Sequence, residues 1–189
     1  ITPASLLDPD LSVRAREVML GNILHTSGDD YLGDLIGRLL EQSDEEQLIG
    51  LLRLFREVGG LNTAQAVAQL AANPEQVDKT EEYVALLSAI RAFCTRFPEV
   101  FKNKRVEAFL CSCLEHPEER VILMVPSLLE VIGGIDTLMY ITNLLQQDAR
   151  ARLHGARLGK IVTAIRARGD LGAYAGGISL AEQQGGELT

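Results

Sequence analysis

The chain of 189 residues has no tryptophan, and its aromatic share is only 5%. Stacking of bases on aromatic side chains, a common way to hold single-stranded nucleic acid, has little material here. Cysteine occurs three times, at Cys94, Cys111 and Cys113, so the thiols cannot all pair within one chain, and a domain of this size needs no disulfide staples. A reducing, intracellular and cytoplasmic setting is expected. No apolar run comes near the ~20 residues of a membrane helix, and stretches such as 121–126 are the longest, so no span is expected. The chain opens on Ile1 without a basic segment leading into an apolar signal core, which reads as a piece of a longer protein. G-x-S-x-G, P-loop, dinucleotide-binding and H-E-x-x-H patterns are all missing, so no catalytic residue, no cofactor site and no enzymatic activity is assigned.

What is present is a chain rich in leucine and alanine, 47% hydrophobic and 23% charged, the balance of a soluble globular domain packing helix on helix. One stretch is written twice. Residues 41–73 and 115–147 align without a gap, matching Gly59-Gly60 with Gly133-Gly134, Thr63 with Thr137, and apolar residues at core spacing between them. Self-similarity at this length marks a repeat architecture, in which each unit buries its apolar face against its neighbours. The copies differ where Met124, Pro126 and Tyr140 replace Gly50, Leu52 and Ala66, so the second is bulkier, and Pro126 should kink its helix.

Caps and breakers set the expected helices. A first helix runs from about 10 to 25 and carries Leu11, Val13, Val18, Leu20, Ile23 and Leu24, with Ser27-Gly28 ending it. Asp29 or Asp30 is expected to cap the second helix, which continues to about Gln42. Ser43 with Glu46 forms a capping-box pattern for the third, which stops at Gly59-Gly60; Asn62 or Thr63 caps the fourth, which ends at Asn73-Pro74. A fifth spans 81–96, a sixth about 98–115 with a turn before Lys102-Asn103, and the second copy repeats the stop at Gly133-Gly134 and the cap at Asp136-Thr137. The order is one of antiparallel helix pairs at roughly 10–42, 43–73, 79–115 and 116–147, followed by one more helix. An all-α domain over 1–168 is expected, as a right-handed superhelical stack of pairs rather than the alternative compact bundle; the Gly-rich tail, 169–189, reads as a linker or a short hairpin.

The segment Asp8-Pro9-Asp10-Leu11-Ser12-Val13-Arg14 resembles the D-P-x-x-x-V-R opening of a HEAT first helix, and a proline within a helix, like Pro126, is also common in that class. The resemblance to the HEAT and armadillo class of helical repeats covers about 6–148. It implies a stack whose surface serves for binding.

Candidate chemistry is sparse. Cys111, Cys113 and His116 have some of the spacing of a metal site, but on a helix the two cysteines lie about 200° apart and only Cys113 shares a face with His116, so no metal is assigned. His25 and His154 read as solvated or helix-terminal side chains. Asp44-Glu45-Glu46 and Glu118-Glu119 sit in first turns, where carboxylates favour the positive end of the helix dipole.

Charge is uneven. Residues 149–168 hold six bases and no acid, whereas 1–148 carry a net charge of −11. On one continuous helix Arg150, Arg157 and Arg168 would fall within about 20° of each other, with Lys160 nearby, while Leu158, Ile161, Val162 and Ile165 form the docking stripe. Arg150, Arg157, Lys160, Arg166 and Arg168 are therefore the candidate partner-binding residues, weighed against a solvated face that neutralises the acidic body or satisfies helix carbonyls. The expected function is a non-enzymatic interaction scaffold or adaptor with a protein partner, and the alternative is a nucleic-acid or phosphate-binding module using these bases.

Overall fold

The computed structural model describes residues 3–8, 10–30, 32, 34–147 and 149–169. Among them every regular element is helical. A 3-10 turn at Pro3–Leu7 precedes α1 (Val13–Ser27), α2 (Leu35–Glu41), α3 (Glu45–Val58), α4 (Leu61–Ala72), α5 (Thr80–Cys94), α6 (Pro98–Phe101), α7 (Lys104–Ser112), α8 (Glu119–Ile132), α9 (Ile135–Gln147), α10 (Ala149–Leu153) and α11 (Gly155–Ala167). The linker or hairpin expected of the tail lies outside the described residues beyond Gly169.

The helices form two layers. One runs α1, α3, α5, α8, α11, each packed on the next, and the other runs α2, α4, α7, α9. This is a stack of helix hairpins with a continuous core, centred on Phe55, Phe93 and Phe101 and on leucines such as Leu20, Leu51 and Leu86. Leu158, Ile161 and Ile165 bury the stripe of α11, which packs against α8 and α9. Within α1 the apolar Val18 is 56% exposed, while Arg16 is buried, donating from Nη1 to Gln47 Oε1 (2.8 Å) and from Nη2 to the Asp8 carbonyl (3.0 Å). The arginine tying α1 to α3 is thus Arg16, not the exposed Arg14 of the HEAT-like segment.

Several expected caps are replaced. Ser12 caps α1, accepting from Ala15 N at 3.3 Å. Asp44, not Ser43, caps α3 by accepting from Gln47 N at 2.9 Å, and the Ser43 hydroxyl turns back to the Leu39 carbonyl. The turn expected before Lys102-Asn103 is present as α6, and α7 starts after it, where Asn103 Oδ1 accepts from Arg105 N and Val106 N, each at 3.0 Å. The expected single basic helix is broken, at His154-Gly155, so Arg150 and Arg157 do not share one helical register.

The two Gly-Gly elbows join layer to layer, and their caps come from other units. Asp29, expected to cap its own α2, is buried and accepts from Thr63 N at 2.7 Å, capping α4 instead of Asn62 or Thr63. At the second elbow Glu107 on α7 accepts from Gly134 N (2.7 Å), Thr137 N (2.8 Å) and the Thr137 hydroxyl (2.5 Å), so Asp136-Thr137 receives its cap rather than supplying it. The helix preceding each elbow is closed from the following unit. Arg96 donates to the Gly59 carbonyl at 2.9 Å, and Arg168 donates to the Glu130 and Gly133 carbonyls. Each elbow therefore places a carboxylate on a helix N-terminus and a guanidinium on a helix C-terminus, the signs the helix dipole favours. Neither Gly59 nor Gly133 has positive φ; their stop is one of close approach. A Cβ at Gly59 would lie 2.6 Å from the Phe55 carbonyl oxygen and 2.8 Å from Phe93, and one at Gly133 would lie 2.6 Å from the Leu129 carbonyl oxygen.

Candidate interaction surface

The bases at the C-terminal end do not act as one stripe. Arg157, Lys160 and Arg166 are exposed on α11, whereas Arg168 is half-buried and held on the end of α8. Arg150 lies on α10 with its side chain outside what the structure describes. Arg152 closes α9, donating from Nε to the Leu145 carbonyl (3.1 Å) and from Nη2 to the Gln146 carbonyl (3.0 Å). Part of the basic run thus satisfies helix carbonyls. Beside the exposed part, Glu119, Leu153, His154, Ala156 and Arg157 line a recess of about 500 Å³ between the start of α8 and the α10–α11 joint. Leu153 is 83% exposed there.

Another opening lies between α2 and α4. One lobe, about 510 Å³, runs over Gly37 and Ala66 and is walled by Leu40, Leu70, Glu41 and Glu75. A second lobe of about 390 Å³ shares Gly37, Glu41, Ala66 and Gln69 with it and continues toward Asp34 and Arg38. Together they follow α4 from Asn62 to Asn73, about 16 Å at 1.5 Å per residue. Gly37 borders this open space: a Cβ there would meet nothing within 4 Å. Asn62, Gln65, Gln69 and Asn73 recur every three or four residues and so share the groove-facing side of α4. Asn62 is fixed by donation to Asp30 Oδ1 at 3.1 Å, and Asn73 by Arg105 at 3.2 Å. Among the described residues the side chains of Glu41, Glu75, Gln65 and Gln76 have no hydrogen bond or ion pair.

The sequence carried one signal for this groove: a glycine inside a helical pattern, which costs about 1 kcal/mol against alanine unless space or contact requires it. Nothing in the sequence showed that the glycine would face α4 across a gap.

The three thiols are buried. Burial pushes Cys94 and Cys113 up to about 12 and Cys111 up to about 11, which leaves them protonated and unreactive at neutral pH. Cys111 Sγ donates to the Thr137 hydroxyl at 3.7 Å. His116 lies 4.7 Å from the Tyr83 ring and accepts through Nδ1 from Glu118 N at 3.1 Å. Among the described residues no three His, Cys, Asp or Glu side chains gather as metal ligands, and no helix is long and apolar enough to cross a membrane. No protein family matches the chain, and neither a curated protein nor a solved structure is significantly similar to it.

Proposed function

We propose that this domain is a non-enzymatic interaction scaffold or adaptor, binding a partner protein or peptide on its helical surface. The observation that supports this reading most is the α2–α4 groove, whose walls hold polar side chains that the fold itself leaves unused. The stack around it is fastened at both Gly-Gly elbows by buried charged groups. A groove already formed on such a framework loses little conformational freedom when a ligand docks, and this is what makes preformed surfaces effective binders. A second reading, binding of nucleic acid or another polyphosphate, is favoured by one observation: Arg157 and Lys160 are exposed about 60° apart on α11, with Arg166 exposed on its other side, and none of the three has an acidic partner among the described residues.

One experiment separates the two. The domain and a variant with Arg157, Lys160 and Arg166 each changed to Glu are compared for elution from a heparin column and for proteins retained from native cells. The scaffold reading expects a reproducible set of retained proteins and a small shift on heparin. Loss of tight heparin retention in the variant, with no protein retained by either form, would put the anion-binding reading in its place.

A further inference from the structure

We propose that the groove between α2 and α4 takes an extended, lysine- or arginine-bearing segment of a partner protein. This rests on the scaffold reading and names the site and the class of ligand.

Charge selects the sign. Several acids are already used by the fold: Glu45 pairs with Lys79, Glu81 with Arg120, Glu99 with Lys102 and Asp136 with Lys104, and Asp29, Glu82 and Glu107 accept from helix N-termini. Glu41 and Glu75 are not used in this way, and the 510 Å³ lobe that both line has no cation in its lining. Arg38 lines only the second lobe, one helical turn after Asp34 on the same side of α2. Two carboxylates without a partner among the described residues, set on one groove, attract a cation more strongly together than either does alone.

The free amides select the shape. A helix spends its backbone N–H and C=O groups on itself, whereas an extended chain presents them outward and brings about five residues along the ~16 Å of the groove. Gly37 lets the ligand backbone approach α2 closely, and Gln65, Gln69 and Gln76 each offer both a donor and an acceptor to it. The same comparison disfavours the basic helix α11 of a second copy as the occupant.

The test is selection of random 12-residue peptides displayed on phage against the whole chain, followed by anisotropy titration of the recovered peptides. Recovered sequences should carry at least two Lys or Arg. Gly37→Leu should weaken them by about tenfold or more while leaving the melting temperature unchanged or higher, since leucine is the better helix former and its Cβ meets open space. Glu41→Gln with Glu75→Gln, exposed changes that keep the fold, should weaken binding by about fivefold or more and flatten its dependence on salt. Peptides that are neutral or acidic, or that ignore Gly37→Leu, overturn the groove assignment and leave the scaffold reading standing. Self-association that Gly37→Leu abolishes makes a second copy the occupant and overturns the partner segment. Recovery of no peptide overturns the groove assignment, and with no protein retained from native cells the scaffold reading falls as well.

Discussion

At the first elbow the helix that leaves Gly59-Gly60 is capped by Asp29, and at the second the helix that leaves Gly133-Gly134 is capped by Glu107. The glutamate, one methylene longer and mounted on α7, reaches two backbone N–H groups and the Thr137 hydroxyl through a single oxygen. The aspartate, on the connection before α2, reaches the backbone of Thr63 and no further, so the buried Thr63 hydroxyl is left without a partner. It also crowds the glycine beside it: a Cβ at Gly60 would lie 2.5 Å from Asp29 Oδ1, whereas one at Gly134 would clear the Glu107 oxygens at 3.6 Å and 3.7 Å. The same joint is thus built once with full satisfaction and once with a polar group left over. In both cases the acid comes from the preceding unit and the arginine from the following one, so each elbow couples three successive units.

The largest expected effect is at the two carboxylates. Glu107→Ala removes a charged acceptor from three donors and should cost about 3 kcal/mol, against about 1.5 kcal/mol for Asp29→Ala. Urea denaturation of the two variants checks the order; equal losses would mean the elbows are energetically the same. Next come the second glycines. Gly60→Ala should cost about 1–2 kcal/mol because the Asp29 carboxylate must move off its donor, and Gly134→Ala should stay within about 0.5 kcal/mol of the parent. A thermal melt in which the two behave alike would break the comparison. The smallest and sharpest contrast is at the threonines. Thr63→Val deletes a buried hydroxyl that has no partner and should stabilise by up to about 1 kcal/mol, while Thr137→Val deletes a bonded one and should destabilise by about 1 kcal/mol. Opposite signs in paired denaturation curves are the expected result.

Much of this was readable from residues alone. Apolar spacing and breakers placed α3 and α5 to within a residue or two and ended α4 and α8 at Asn73 and Gly133, whereas the expected caps started α4 and α9 two or three residues late; the duplicated stretch aligned the glycines and threonines that form the elbows. The caps were less legible. A capping carboxylate need not be local: Asp29 lies 34 residues before its partner Thr63, and Glu107 lies 30 before Thr137. A search within one turn of each helix start finds Ser43 or Thr137 and stops there. The basic run misled for a similar reason. Six bases in twenty residues look like one surface, but Arg152 and Arg168 have helix C-termini within reach, and His154-Gly155 breaks the register that would have aligned the rest.

By itself the sequence determined the helical class, the pairing of helices in order, and the net acidity of the body, because these follow from local periodicity, breakers and composition. The tertiary structure decided which charges the fold consumes and which it leaves for a ligand. A carboxylate such as Glu41 differs from Glu107 in no property of its own; the difference is whether stacking brings a helix terminus to it, and that is fixed by contacts between segments some thirty residues apart.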